Sequence, residues 1–289
     1  MQHKAIRSAV FGVALLILAT GARLQAQFRF QVLTPEVIEG RLKSFKGNDS
    51  QRQATVKALF HEAGCTGENL TEQPVKGLKQ SNVICVLPGS TSAVILIGAH
   101  FDHADVGEGV VDNWTGASLL PSLYQALNTQ RRRHTFLFLA FAGEEKGLVG
   151  SRFYVQSLTE EQAKKIDATV IMDTLGLGPT EMWVSRSDKR LVNLLYGMSQ
   201  LLKLPLSGVN VDKVGMSDEE PFIKRNIPAI IIHSLTQKTL HVVHSARDNY
   251  GAIHFDDYYN SYKLLSGYLA SLDESLGLQG EIPEKIPSN

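Results

Sequence analysis

From Asn82 onward, short unbroken apolar runs alternate with longer stretches in which apolar residues recur every three or four positions. Four of the runs, Ala93–Ile97, Thr135–Phe141, Ala168–Met172 and Pro228–Ile232, show little polar alternation. Strands of that kind are buried on both faces, as in a parallel sheet covered by helices. Two further runs are predicted as strands: Asn82–Leu87, ending at the turn signal Pro88-Gly89, and the shorter Glu181–Ser185. Helical periodicity predicts a helix opened by Thr34 as N-cap with Pro35 at its first position. A second helix over about Ser50–Ala63 carries Val56, Leu59 and Phe60 and stops at Gly64. Others are expected over about Ala117–Leu127, with Pro121 in or near its first turn, up to about Leu158, and over about Lys189–Leu202. The last two cover about Glu219–Arg225 and Asp256–Leu272. The alternation predicts the α/β class: a single three-layer α/β/α domain over residues 27–274 around a central, largely parallel (mixed) sheet.

The two ends of the chain stand apart from this pattern. Lys4 and Arg7 precede the apolar stretch Ala9–Ala19, and small residues follow, with expected cleavage after Gly21, Ala22 or Ala26. That order is the pattern of an export signal, so residues 1–26 are expected to be a leader, removed on the way to the periplasm or the exterior. The apolar stretch is shorter than the roughly 20 residues a spanning helix needs, so no stable membrane anchor is expected. Residues 275–289, with Pro283 and Pro287, read as a flexible tail.

Composition narrows the function classes. The hydrophobic fraction of 43% and the charged fraction of 20% are those of an ordinary globular protein with a sizeable core. Twenty-nine basic and 29 acidic residues cancel. No basic stripe calls for nucleic acid; the cluster Arg131–Arg133 reads as the solvated end of a helix. Cys65 and Cys85 are the two cysteines. In an exported chain they could pair, closing a loop that stabilises by roughly 3 kcal/mol; a buried free thiol at Cys85, inside a strand-like run, is the alternative.

The chemistry lies at strand ends. His100, Asp102 and Asp112 follow Ala93–Ile97, Glu144 and Glu145 follow Thr135–Phe141, Asp173 closes Ala168–Met172, and His241 and His244 lie after Pro228–Ile232. If these strands are parallel, all of those groups converge on one edge of the sheet, where ligand sites of open α/β folds form. Any one alone is ordinary: a solvated Glu pair, an Asp cap, a hydrogen-bonded His. Gathered, the carboxylates repel one another unless a cation holds them. Imidazole with carboxylate is a donor set for zinc or a similar metal.

The residues resemble a known family, the zinc-dependent exopeptidases of the bacterial leucyl-aminopeptidase type, which also includes glutamate carboxypeptidase-like proteins and glutaminyl cyclases. The resemblance rests on His100-Phe-Asp102, Asp112-Asn-Trp-Thr-Gly-Ala117 and Gly143-Glu-Glu-Lys-Gly-Leu-Val-Gly-Ser151. It continues through Met172-Asp-Thr-Leu-Gly176, Ser217-Asp218 with Phe222 and Ile227-Pro228-Ala229, and His244-Ser-Ala-Arg-Asp248. It implies two zinc ions bridged by Asp112, with His100 and Asp173 completing one site and Glu145 and His244 the other. It implies Glu144 as general base for a metal-bound water, and Asp102 as the carboxylate that orients the His100 imidazole. The activity implied is that of a secreted metallo-aminopeptidase acting on peptides with a free N-terminus. A single-zinc glutaminyl-peptide cyclotransferase and a non-catalytic ectodomain are the alternatives on the same scaffold.

Within that resemblance His103 and His241 stand as competitors of His100 and His244. Glu219 stands where the family often has histidine. Trp114 stands where a small residue is usual, either shaping the pocket wall or packing. Ser217 and Asp218 are either substrate contacts or helix caps. Asn48, Asn69 and Asn113 head glycosylation-type triplets, the last of them read as structural.

Overall fold

The computed structural model describes residues 30–211 and 215–277. The expected leader, and residues 278–289 of the expected tail, lie outside the described residues. The element order is α1 (Pro35–Leu42), α2 (Asp49–Glu62), β1 (Leu70–Pro74), β2 (Ser81–Leu87), β3 (Val94–His100), α3 (Thr115–Asn128), β4 (Thr135–Phe141) and α4 (Val149–Ser157). It continues with α5 (Glu160–Lys164), β5 (Ile166–Met172), β6 (Thr180–Met182), α6 (Lys189–Leu202), β7 (Leu206–Gly208), α7 (Glu220–Lys224), β8 (Ala229–His233) and α8 (Phe255–Gly277).

The eight strands form one sheet in the order β1-β2-β4-β3-β5-β8-β6-β7. β4, β3, β5 and β8 are mutually parallel. They are the four runs whose apolar residues scarcely alternate with polar ones. β2 joins β4 antiparallel, β1 joins β2 antiparallel, and β6 is antiparallel to β8, so the sheet is mixed at both edges. Both faces are covered. Ile95, Ile97 and Ala99 of β3 enter the core under α1, α2, α3, α6 and α8, while Leu96 packs with residues of α4, α5 and α7 on the other face. This is the expected α/β/α architecture, and among the described residues no helix is long and apolar enough to cross a membrane.

The chain passes from β3 through α3 to β4 on one side, then returns past β3 to β5 on the other. The carboxyl end of β3 is therefore the point where strand order reverses, the usual crevice of a doubly wound sheet. His100 is the last residue of β3.

Several boundaries differ from the sequence reading. α3 begins at Thr115, directly after an irregular π-type turn over Val110–Trp114, so Pro121 sits inside the helix rather than in its first turn. α8 runs on to Gly277, beyond the expected end at Leu272 and three residues into the expected tail. β1, α5 and β7, three to five residues each, carry too little periodicity to predict. Cys65 and Cys85 are bonded, tying the segment after α2 to β2. Asn48 caps α2 with a reciprocal capping box to Gln51.

Candidate metal centre

The candidate ligands are placed by the ends of four strands, β3, β4, β5 and β8. His100 closes β3 and is buried, Asp112 hangs in the turn before α3, and Glu144 and Glu145 follow β4. Asp173 follows β5, and its amide donates to Ile232 of β8. His244 comes from the long segment after β8, with a left-handed backbone. The parallel strands bring these groups to one edge, in two clusters. His100, Glu144 and Asp173 have ligand atoms within 4.8 Å of one another, and so do Asp112, Glu145 and His244.

Asp112 divides its carboxylate between the clusters. Its Oδ1 lies 3.2 Å from His100 Nε2, and its Oδ2 lies 3.2 Å from His244 Nε2. His100 Nε2 is also 3.7 Å from Asp173 Oδ1, and His244 Nε2 is 3.0 Å from Glu145 Oε2. His100 Nε2, Asp173 Oδ1 and Glu145 Oε1 are buried and make no hydrogen bond within the described chain. Orphaned lone pairs of this kind, on imidazole and carboxylate, fit a divalent metal of the zinc type. His103 and His241 belong to neither cluster; His103 Nδ1 instead contacts the Ala104 carbonyl at 2.7 Å.

The charges are strongly coupled. Burial alone would lower the His100 pKa, but the Glu144 charge and contacts with Asp102, Asp112 and Asp173 overcome it and hold the imidazolium well above its usual range. His244 is pushed up to about 9, mainly by its contact with Asp112. Asp112 falls below the usual carboxylate range: burial raises it, and the two histidines more than offset that. Burial pushes Glu144 up to about 10, with His100 opposing and Asp218, Asp173 and Asp112 adding repulsion. Glu145 rises to about 7 through burial and the nearby Asp112 charge. The two glutamates are thus driven toward the neutral form, and added positive charge beside them would restore their ionisation.

The sequence profile of peptidase family M28 matches residues 82–268. The chain belongs to that family. Leucine aminopeptidase 2 of Trichophyton equinum is 29% identical over 151 residues, 49% of this chain and 30% of that protein. Aminopeptidase YwaD of Bacillus subtilis (strain 168) is 26% identical over 186 residues, 61% of this chain and 37% of that protein. The matched part is thus about a third of the length of these curated relatives. The Legionella pneumophila LapA aminopeptidase structure superposes with a TM-score of 0.68 at 21% identity, over 86% of this chain and 78% of that one. A glutaminyl cyclase from an Acidobacteriales bacterium gives 0.69 at 15%, over 93% and 99%. At these identities the superpositions show the fold.

In this M28 chain the supporting residues are as informative as the ligands. Asp102 sits below the metal cluster; its Oδ1 accepts the amides of Gly143 and Glu144 at 2.9 and 3.1 Å, and its Oδ2 accepts that of Glu145 at 3.2 Å. His100 Nδ1 faces the Asp102 carbonyl at 3.2 Å and its carboxylate at 3.7 Å. One carboxylate thereby holds the glutamate loop and faces the imidazole. Asp248 accepts the amides of Val111 and Asp112 at 2.7 and 3.2 Å, fixing the turn that presents Asp112. The Asn113 amide group donates to the Met172 carbonyl at 2.8 Å and accepts from the Gly116 amide at 2.9 Å, joining β5 to α3. A Cβ on Gly116 would lie 2.8 Å from that same carbonyl, so the close approach requires glycine.

Arg52 was no candidate from sequence. Its buried guanidinium donates to the carbonyls of Phe101, Glu108 and Gly109 and lies 5.5 Å from the Trp114 ring, bracing the loop between His100 and Asp112. Trp114 is fully buried and packs; it forms no part of the pocket wall. Ser217 donates to Asp173 Oδ2 at 2.6 Å, while Asp218 is buried, and burial pushes it up to about 7 against the influence of His100 and Ser151. Beside the two clusters opens a pocket of about 250 Å³, with Leu148, Trp183, Val211, Met216, Leu235 and Val243 as its apolar wall.

Proposed function

We propose that the chain is an exported zinc aminopeptidase that hydrolyses the N-terminal residue from peptides. The observation that carries this reading is the division of the Asp112 carboxylate between two ligand clusters beside an apolar pocket. His100 and Asp173 would hold one ion with Asp112 Oδ1, and Glu145 and His244 a second with Oδ2. Zinc there supplies Lewis acidity toward a peptide carbonyl and toward water. The chain's own residues do the rest. Glu144 lines the pocket, and beside positive charge its carboxyl ionises, so it takes a proton from water and returns it to the leaving amine. Asp102 holds the Glu144 amide and faces His100, keeping base and ligand in one frame. The apolar pocket takes the side chain of the N-terminal residue and excludes water from it. Family membership supports the class of reaction, and the leader-like pattern of residues 1–26 supports export.

The deciding measurement is metal content of the purified protein, with aminoacyl-p-nitroanilide hydrolysis followed on the same sample before and after chelation. Two zinc per chain with chelator-sensitive release is expected. One zinc with ammonia release from N-terminal glutamine peptides, and no anilide hydrolysis, would move the chain to the glutaminyl-cyclase reading. Absence of both metal and activity after zinc is restored would overturn the mechanism.

A further inference from the structure

Behind the pocket wall lies a charged cluster that the proton chemistry above does not use. Glu219 is completely buried and Glu220 nearly so. Arg186 Nε stands 3.0 Å from Glu219 Oε1, and one terminal nitrogen stands 3.7 Å from Glu220 Oε2. The other donates to the Gly215 carbonyl at 3.5 Å. The guanidinium also lies over the Trp183 ring, 5.0 Å from its centre. Trp183, Gly215, Met216 and Ser217 line the pocket, whereas Arg186 and Glu219 do not.

Among the described residues neither Glu219 oxygen makes an aligned hydrogen bond, so the Arg186 guanidinium is the main compensation there for burying that carboxylate. A buried charge held chiefly by one partner makes the position of that partner matter. Arginine suits the task, because its planar fork can pair with carboxylates at its edge while its face stacks on an aromatic ring; lysine offers a point charge only. Glu219 also stands where the resemblance leads one to expect histidine, so the pair belongs to this chain's own version of the site.

We propose that Arg186 and Glu219 form a positioning pair for the substrate pocket, clamping the Trp183 ring on one side and the Gly215–Ser217 backbone on the other. The pair touches no reacting atom; it sets the width of the cleft that receives the substrate's terminal side chain. The identity of that substrate rests on the aminopeptidase reading. The backbone that Arg186 holds at the Gly215 carbonyl runs directly to Ser217, whose bond to Asp173 forms the edge of the pocket nearest the two ligand clusters.

The test compares zinc-loaded wild type with Arg186→Met, Arg186→Lys, Glu219→Gln and the Arg186→Met/Glu219→Gln double variant, on leucyl- and alanyl-p-nitroanilide. Each single variant should raise KM for the leucyl substrate about tenfold, the scale of an altered side-chain pocket. Turnover should change less than about threefold, since no transition-state contact is removed. The double variant should be no worse than the worse single, and Arg186→Lys should not restore KM. Zinc content should be unchanged throughout. A lowered melting temperature with KM unaltered would make the pair a structural element only and overturn the proposal. Should Arg186→Met fail to fold, Glu219→Gln, which keeps the side-chain volume, carries the same comparison.

Failure of the aminopeptidase reading shows separately, as absence of turnover in wild type. The pair is then read from acrylamide quenching of the emission that Trp183→Phe removes. Greater quenching in Glu219→Gln upholds the clamp, and identical quenching overturns it.

Discussion

Glu144 and Asp112 sit in the same knot of charge, yet their environments assign them different work. Both line the pocket, but Asp112 has both oxygens facing histidines, whereas Glu144 is half-buried near the carboxylates of Asp112, Asp173 and Asp218. Glu144→Gln should therefore lower kcat by about 10²–10⁴, the usual worth of a positioned general base, while two zinc ions remain bound. Asp112→Ala should lose both zinc and activity. Metal analysis and steady-state rates on the two variants decide the matter, and full activity in Glu144→Gln would remove the base from the mechanism. The positions of these residues were legible in sequence because each follows an apolar run at a fixed place. The role of Asp248 was not, although it closes the His244–Asp248 motif, nor was Arg52: Asp248 grips Val111 from a long way along the chain, and Arg52 reaches the loop between His100 and Asp112 from α2. No local pattern marks a residue whose partners are backbone groups far away in the chain.

At the scale of elements, the four parallel strands were legible because burial on both faces leaves an unbroken apolar signature. The short edge strands were not, since β1 and β7 owe their form to neighbours rather than to period, and α5, opened by a local capping box of Thr159 and Gln162, is too short to show one. The disulfide belongs here too, as sequence left pairing and a buried thiol equally open. Cys65 follows α2, and Cys85 lies on β2 opposite Leu70 of β1, so the bond staples the first helices to the antiparallel edge of the sheet. Closing such a loop is worth roughly 3 kcal/mol in the chain-entropy account. Reduction should lower the melting temperature by several degrees, because about 2–4 °C accompanies each kcal/mol in a domain of this size. Scanning calorimetry with and without a phosphine reductant measures this. The candidate metal centre lies at the carboxyl ends of the parallel strands, and neither cysteine belongs to either ligand cluster, so zinc content should survive reduction. Loss of zinc on mild reduction would show that the edge strands also support the site.

Over the whole molecule, the sheet carries clusters of histidine and carboxyl groups at both ends of its parallel strands. Opposite the metal centre, the buried His134, next to the start of β4, bridges two carboxylates: Nδ1 is 2.9 Å from Asp273 of α8 and Nε2 is 3.2 Å from Asp167 of β5. Asp273 also accepts the amides of Arg133 and His134, so this triad ties the last helix to the starts of β4 and β5. Burial disfavours the imidazolium, but Asp273 and then Asp167 outweigh it, leaving the His134 pKa raised and that of Asp273 lowered. The sign for stability follows. A histidine raised above its unfolded value of about 6.5 contributes fully below that pH, and its contribution is lost as pH climbs through the folded value. The depressed Asp273 contributes above about 3.9, and its share is lost as pH falls through its lower folded value. The triad is therefore strongest between those limits. His134→Gln keeps a hydrogen-bonding side chain but abolishes the charge. Its deficit in melting temperature should be widest near pH 5–6 and shrink steadily toward pH 9. Because the metal centre titrates alike in both proteins, taking the difference between them removes its contribution from the comparison. A deficit that stays constant or widens with pH would mean that His134 is neutral in the folded protein, and that the triad adds no charge-dependent hold on α8.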